Sequence, residues 1–130
     1  QLNRLKEKVV KKREIFKNFK KLLSDLDLSF NPENPGEYNS YWMTTIVFNK
    51  KYKINVFKLL GYLRKKKIDS RIFFPPLSLM KKFKNSKKNK NSYFLYRNSI
   101  NLPSPLGLTN NQAKIVSFHI KKYLKKYNGR

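Results

Sequence analysis

The segment from Ile68 to Ser78 reads IDSRIFFPPLS and has the alternating character of a short β-strand. Alternation predicts that the even-numbered residues from Ile68 to Phe74 share one face and that the odd-numbered residues share the other. Pro75 and Pro76 have no N–H group to donate to a neighbouring strand, so the strand is expected to end before them.

Arg71 is the residue of this segment that is best suited to a ligand. It lies between polar and aromatic neighbours, next to a stiff turn, and a guanidinium in such a place can hold an anionic or hydroxyl-rich group. The alternative is a surface ion pair with Asp69 or Glu37, since charged groups on strands are usually solvated. The sequence leaves both interpretations open.

Length and composition exclude several classes of protein. A chain of 130 residues has room for one domain with a modest core. It has no cysteine, which excludes disulfides and cysteine-ligated zinc, and its single histidine, His119, argues against a metal site or a Ser-His-Asp triad. No apolar run approaches the ~20 residues that span a bilayer. The sequence therefore predicts a cytoplasmic protein without a metal.

The formal net charge of +24 is the most unusual property of the composition. Such a charge is typical of proteins that bind nucleic acid or anionic membranes. However, only six of the 31 cationic residues are arginines, and the chain is also rich in Asn, Ile, Phe and Tyr, as expected of an AT-rich genome. We favour compositional drift, with a nucleic-acid-binding protein that uses Lys81–Lys90 and the lysine-rich helix faces as the alternative.

Hydrophobic periodicity predicts three helices. The first runs from Leu2 to about Leu26, and because the chain starts inside its pattern we expect the helix to begin upstream of Gln1 and the sequence to be a fragment. The second runs from Val56 to about Lys66 with Asn55 as its cap. The third follows a capping box formed by Thr109 and Gln112, ends near Tyr127 and contains a partly buried His119.

Three short strands are predicted between these helices. Tyr41–Phe48 is apolar on both faces, which indicates an interior strand. Ile68–Phe74 is the second strand and Ile100–Pro103 the third. Lys81–Asn91 is expected to be a mobile loop, and Asn91–Asn98 a short helical turn. The predicted fold is α+β, with a small three-stranded sheet and helices packed on one of its faces.

Four segments carry a resemblance to a known family: Lys12–Phe16, Asn39–Met43, Ile68–Ser78, and Ile100–Ser104 followed by Leu108 and Thr109. In this order and at similar separations, they resemble the C-terminal domain of the DegT/DnrJ/StrS sugar aminotransferases, which use pyridoxal phosphate. The Tyr-Trp-Met sequence within Asn39–Met43 and the Phe-Phe pair within Ile68–Ser78 look most like those of the perosamine synthase-like members of this family. The resemblance covers nearly the whole chain and implies the small domain of a fold-type I aminotransferase.

The chain departs from the family pattern at three positions. Lys67 stands where the family usually has a glycine, and a left-handed backbone there would cost ~1 kcal/mol for a residue with a side chain. Ile72 replaces a proline after the arginine. Pro75 replaces an aromatic residue, which puts in doubt any substrate preference inferred at that corner.

The resemblance implies that residues 1–130 are one small C-terminal domain, with a linking helix at 1–27 and an α+β core at 39–127. In the family, the lysine that holds pyridoxal phosphate belongs to a large N-terminal domain that is absent here. No catalytic residue and no bound cofactor are therefore expected in this chain. It should be inactive alone, with pyridoxal phosphate present only in the full-length enzyme.

The resemblance also implies a function for the whole enzyme: transfer of an amino group from glutamate to a nucleotide-linked 4-keto-6-deoxy sugar, for surface polysaccharide such as O-antigen. The intact enzyme would be a homodimer, with neither membrane nor nucleic acid as a partner. The alternative is a folded, inactive relic of the enzyme. The candidate substrate-binding residues are Arg71, Tyr41, Trp42, Phe73, Phe74 and Ser78. For the aromatic residues among them, packing in the core is an equal alternative.

Overall fold

The computed structural model describes residues 2–83 and 88–128. Within these ranges the chain forms four helices: α1 (Leu5–Leu22), α2 (Val56–Lys65), α3 (Lys90–Asn98) and α4 (Asn110–Asn128). It also forms four strands: β1 (Leu28–Phe30), β2 (Thr44–Phe48), β3 (Arg71–Ile72) and β4 (Ser99–Leu102). The predicted α+β class is confirmed.

The strands form one antiparallel sheet in the order β1-β2-β4-β3. In β2, Ile46 lies opposite Phe30 on one side and Ile100 on the other. In β4, Asn101 lies opposite Arg71 of β3. β2 is therefore an interior strand, as predicted, and β3 forms an edge of the sheet.

One face of the sheet carries the hydrophobic core. Helices α1, α2 and α4 bury their apolar stripes against this face, as the predicted three- and four-residue spacings require. α3 contacts β2 and β4 but has no fully buried residue. The core side chains are Ile46, Phe48, Ile100 and Leu102 of the sheet, with Ile15, Phe19, Leu23, Val56, Leu59, Leu63, Ala113, Val116, Ile120 and Leu124 of the helices.

The other face of the sheet is polar where β2 and β4 pair. Thr45 and Asn101 are both buried there, and the Thr45 hydroxyl donates to Asn101 Oδ1 over 2.7 Å. Asn101 in turn donates from Nδ2 to the carbonyl oxygen of Ile72 over 3.4 Å. These side-chain hydrogen bonds add a link between β4 and the short edge strand β3.

The prediction of three strands was wrong because the sheet has four. β1 contains only Leu28, Ser29 and Phe30, and it exists because β2 is available to pair with it. Three residues are too few to show an alternating pattern by themselves. The missing strand is therefore a product of long-range pairing, which local sequence does not reveal.

The limits of two predicted strands were also wrong. β2 begins at Thr44 rather than Tyr41, because Tyr41 has a φ of 46° and leaves the extended region. β3 contains only Arg71 and Ile72 of the predicted Ile68–Phe74. Phe74 is 56% exposed, so it does not share the buried side of Ile68.

The predicted helix caps are present. Asn55 Oδ1 accepts from the backbone N–H of Lys58 over 3.1 Å and starts α2. Thr109 and Gln112 bond each other reciprocally at the start of α4, over 3.2 Å and 2.9 Å. α1 ends at Leu22 rather than near Leu26, and α3 is a full helix rather than a single turn. Because α3 starts at Lys90, the predicted Lys81–Asn91 loop was too long; its central residues, 84–87, lie outside the described residues.

Lys67 ends α2 in a left-handed conformation, with a φ of 58°. The N–H of Ile68 bonds to the carbonyl of Leu63 over 3.0 Å, and that of Lys67 to the carbonyl of Arg64 over 2.9 Å. This pair of bonds is a Schellman motif, and the buried side chains of Ile68 and Leu63 supply its hydrophobic contact. The motif favours glycine at the position that Lys67 occupies.

We therefore expect Lys67→Gly to stabilise the fold. A left-handed residue with a side chain is strained by roughly 1–2 kcal/mol, and part of this gain is lost to the greater freedom of glycine in the unfolded chain. The expected net gain is about 0.5–1 kcal/mol in the free energy of unfolding by urea. Lys66→Gly is the matched control: it removes the same charge at a φ of −94°, where glycine brings only an entropic cost. Equal destabilisation by both variants would show that the backbone at Lys67 is not strained.

Candidate functional site

Tyr41, the first of the predicted site residues, is buried rather than open to a ligand. Its ring stacks on Phe16 of α1, with the ring centroids 3.6 Å apart and the planes 7° from parallel. Burial raises the pKa of its hydroxyl, which also donates to a Glu33 oxygen over 3.3 Å. Tyr41 therefore packs against α1 instead of facing solvent.

Trp42, Phe73 and Phe74 come together at the surface. The rings of Trp42 and Phe74 are 6.4 Å apart, and those of Phe73 and Phe74 are 5.6 Å apart in an edge-to-face arrangement. Trp42 is 61% exposed and Phe74 is 56% exposed. We call these three residues the aromatic edge. Large exposed aromatic rings in contact with one another are typical of surfaces that bind a ligand or another protein domain.

Arg71 lies on the edge strand and is mostly exposed to solvent. Its Nη2 donates to Asp69 Oδ2 over 3.2 Å, and both side chains are about three-quarters exposed (74% and 77%). This is the ion pair that the sequence offered as the alternative to a ligand. Because exposed pairs of this kind are weak, Arg71 remains available to an anion.

Ser78 is buried and does not face open solvent. Its hydroxyl shares a hydrogen bond of 3.0 Å with the Tyr93 hydroxyl, and Asn89 Nδ2 lies 3.5 Å from the same oxygen. These contacts attach the short 3-10 turn at Leu77–Leu79 to α3. Of the six predicted residues, the structure thus joins Trp42 with Phe73 and Phe74, and it places the other three elsewhere.

Arg13 and Glu33 form a network that the sequence did not predict. Two hydrogen bonds, of 2.5 Å and 3.0 Å, join the Arg13 guanidinium to the Glu33 carboxylate. Arg13 also donates to the carbonyl of Asn39 over 2.6 Å, and the N–H of Asn39 donates to Glu33 over 2.8 Å. The Tyr38 ring lies 4.4 Å from the guanidinium carbon. The network fastens the segment before β2 to α1.

Lys12 makes a second attachment next to Arg13. Its ammonium donates to the carbonyl of Trp42 over 2.9 Å and to the carbonyl of Ser104. Burial lowers the pKa of Lys12. α1 therefore holds the backbone at Trp42 and at the end of β4 together, while the Trp42 side chain remains at the surface.

The electrostatics of the network are dominated by the bidentate pair. The hydrogen bond from Arg13, followed by the one from the Asn39 N–H, lowers the pKa of Glu33 from its ordinary value of 4.5 to about 2. The same pairing raises the pKa of Arg13. Sequence offered one weak signal: Arg13 is an arginine on a helix whose other cations are mostly lysines.

His119 has a structural role, as the sequence indicated. Its Nδ1 lies 3.0 Å from the Tyr62 hydroxyl, which joins α4 to α2. Burial, followed by the charges of Lys66 and Lys122, lowers the pKa of His119. In the ranges 2–83 and 88–128, no group of three or more His, Cys, Asp or Glu side chains could hold a metal, and no helix is long and apolar enough to cross a membrane.

Comparison with known proteins identifies relatives of this chain. The sequence profile described as the DegT/DnrJ/EryC1/StrS aminotransferase family matches residues 1–121. A GDP-perosamine synthase of Vibrio cholerae is 30% identical over 128 residues, which is 95% of this chain and 34% of that enzyme. The chain thus spans about a third of the length of its relative.

Solved structures share the fold. The aminotransferase TlmJ of Streptoalloteichus hindustanus aligns with 97% of this chain and 34% of its own, at a TM-score of 0.83 and 20% identity. Helicobacter pylori PseC, an aminotransferase involved in the biosynthesis of pseudaminic acid, aligns with 98% of this chain and 35% of its own, at a TM-score of 0.83 and 18% identity. From the match over residues 1–121, the chain belongs to the DegT/DnrJ/EryC1/StrS aminotransferase family.

Proposed function

We propose that this chain is the C-terminal domain of a pyridoxal phosphate-dependent nucleotide-sugar aminotransferase. The observation that carries the proposal is the family match over residues 1–121, together with a relative that is a GDP-perosamine synthase. The intact enzyme would exchange the amino group of glutamate for the carbonyl oxygen of a 4-keto-6-deoxy sugar, with 2-oxoglutarate as the second product. Its product would serve surface polysaccharide such as O-antigen, and the enzyme would be a cytoplasmic homodimer.

Lys12 and Glu33, the two groups of the described residues that we consider for pyridoxal phosphate, are already engaged by other partners. Bound to an enzyme, that cofactor acts as an electron sink and needs a lysine for its aldehyde and an acid for its pyridine nitrogen. Burial lowers the pKa of Lys12, but the ammonium of Lys12 already donates to two backbone carbonyls. Glu33 is fully engaged by Arg13 and Asn39. In the proposal the cofactor site belongs to another part of the enzyme, and we expect this chain alone not to transfer amino groups.

In the proposed enzyme this domain supplies part of the substrate wall. The aromatic edge offers flat apolar surface against which a sugar or a base can pack. Arg71 offers a planar, two-pronged donor to an anionic or hydroxyl-rich group. Ser78 would act through the turn that it holds against α3. Tyr41 would keep Trp42 in place by its stacking on Phe16.

The test is an assay of the longer polypeptide that contains this chain. Supplied with pyridoxal phosphate, glutamate and a nucleotide-linked 4-keto-6-deoxy sugar, it should produce 2-oxoglutarate and the amino sugar in equal amounts, whereas residues 1–130 alone should produce neither. Turnover by residues 1–130 alone would place the cofactor site in this domain after all. If the upstream reading frame encodes no lysine-bearing cofactor domain, the chain is an inactive relic. Saturable, strongly salt-dependent binding of unrelated DNA would favour the nucleic-acid alternative.

A further inference from the structure

Helices α1, α4 and α2 lie side by side over the sheet, with α4 in the middle, and we call them the helical layer. On one flank of α4, Asn110 Oδ1 accepts a hydrogen bond of 3.1 Å from Asn18 of α1. On the opposite flank, half a turn round the helix, His119 Nδ1 lies 3.0 Å from the Tyr62 hydroxyl of α2. All three helices bury their apolar stripes towards the sheet, so their other sides together form one broad outer surface.

The middle of this outer surface carries both cations and apolar groups. Lys114, Lys122 and Lys125 are exposed on the side of α4 that faces away from the sheet. Among them lie Ile115, which is 53% exposed, and Phe118, which is 58% exposed. The Lys122 ammonium lies 5.8 Å from the centre of the Phe118 ring. We call these five residues the α4 face, in which two exposed apolar side chains are surrounded by lysines.

The two flanking helices extend the positive charge, while the acidic residues near them are paired. The flanking helices add four exposed lysines to the outer surface: Lys17 and Lys21 of α1, and Lys58 and Lys65 of α2. Glu7 and Glu14 of α1 each form an ion pair of 3.1 Å with a cation three residues earlier, and Asp25 pairs with Lys121 over 2.6 Å. The sequences of α2 and α4 contain no acidic residue at all. The outer surface of the helical layer is therefore strongly positive.

These features match an anionic lipid bilayer better than they match nucleic acid. A bilayer surface is broad and flat, as is the outer side of three helices that lie side by side. Anionic headgroups attract lysines without a need for directed hydrogen bonds, and the headgroup region also accepts apolar side chains. Recognition of nucleic-acid phosphates favours the fork of arginine, and the α4 face has no arginine. The outside of a nucleic-acid duplex also offers no apolar surface to Ile115.

We propose that the α4 face, together with the flanking lysines of the helical layer, binds the surface of an anionic phospholipid bilayer. Ile115 and Phe118 enter between the headgroups, and the lysines contact the lipid phosphates. Compositional drift can raise the number of lysines, but it gives no reason for exposed apolar side chains among them. The proposal replaces the expectation of no membrane partner. It does not depend on amino transfer, so this inference and the proposed function can fail separately.

Co-sedimentation of the 130-residue chain with lipid vesicles tests the proposal. Vesicles of phosphatidylcholine mixed with phosphatidylglycerol should bind the chain at least about tenfold more tightly than vesicles of phosphatidylcholine alone, and added salt should weaken this binding. The double variant Lys122→Gln with Lys125→Gln should bind the mixed vesicles roughly tenfold or more weakly, because each lysine near such a surface contributes severalfold. Phe118→Ser should bind about three- to tenfold more weakly with the same salt dependence, because it removes apolar contact and no charge.

The matched control is the double variant Lys81→Gln with Lys82→Gln, which removes the same charge from two exposed residues. These lysines follow the 3-10 turn that Ser78 and Tyr93 attach to α3, outside the helical layer. The control should bind the mixed vesicles within about twofold of the original chain, because charges far from a surface are screened at ordinary salt.

Equal weakening by the two double variants would overturn the proposal in favour of bulk charge. Unchanged binding of the mixed vesicles by Phe118→Ser, or by the variant at Lys122 and Lys125, would overturn it as well. Binding of an unrelated DNA duplex without binding of the mixed vesicles at the same ionic strength would assign the surface to nucleic acid instead.

Discussion

In an NMR pH titration of the folded chain, the Glu33 carboxyl is expected to titrate near pH 2, well below the ordinary pKa of 4.5 for a glutamate. The cause is the bidentate hydrogen bond from Arg13, assisted by the N–H of Asn39. Because the folded-state pKa is the lower one, ionised Glu33 stabilises the fold fully above about pH 4.5. That stabilisation is lost as the pH falls from about 4.5 to about 2.

Glu33→Gln should remove this part of the acid dependence. Urea unfolding midpoints, measured between pH 6 and pH 3, should fall less steeply in the variant than in the original chain, although the variant is less stable at pH 6. Glu14→Gln is the matched control, since Glu14 pairs with Lys11 on the exposed side of α1 and such pairs contribute little. A Glu33 carboxyl that titrates near 4.5 would show that the Arg13–Glu33 pair does not form in solution.

Arg71→Lys should reduce kcat/KM for the nucleotide sugar by about ten- to a hundredfold in the full-length enzyme that we propose. Loss of one charge-assisted hydrogen bond corresponds to roughly 1.5–3 kcal/mol of binding in the transition state, and an ammonium cannot replace the two-pronged donor. Folding should be nearly unchanged, because Arg71 is exposed and its ion pair with Asp69 contributes only ~0–1 kcal/mol.

The control for this substitution is Arg4→Lys, at an exposed arginine directly before α1. Arg4→Lys should leave kcat and KM unchanged. If Arg71→Lys behaves in the same way at low concentrations of nucleotide sugar, the ion pair with Asp69 is all that Arg71 does. A large loss of thermal stability would instead make Arg71 a structural residue of the corner between β3 and the Pro75–Pro76 turn.

Local signals in the sequence predicted the helices well. Asn55, and Thr109 with Gln112, satisfy backbone groups within one turn of their own positions, so their roles can be inferred without knowledge of the fold. The left-handed backbone at Lys67 was suggested instead by the glycine that the family usually has at this position, and Lys67 has a φ of 58°. Long-range pairing escaped prediction: β1 has three residues, and only the register of β2 makes them a strand.

The candidate site was predictable only in part, for the same reason. The sequence named Trp42 and Phe74 as candidate binding residues, but it placed Trp42 in an interior strand and Phe74 on the face of Ile68, whereas both rings are exposed. The burial of Tyr41 depends on its positive φ and on Phe16, a residue far away in the chain. Likewise, Glu33 could have paired with any of many cations, and its choice of Arg13 depends on how α1 lies against the following loop.

The strand order has a consequence for how the chain is made. Thr44 of β2 pairs with Leu102 of β4, so the two interior strands cannot meet until synthesis has passed residue 102. Until then, β2 exposes one unpaired edge in the nascent chain, and such edges invite pairing with other chains. Contacts between residues so far apart in sequence also slow folding, since a long loop must close first. Many lysines lie in the segment between these strands, and net charge far from zero opposes association between chains.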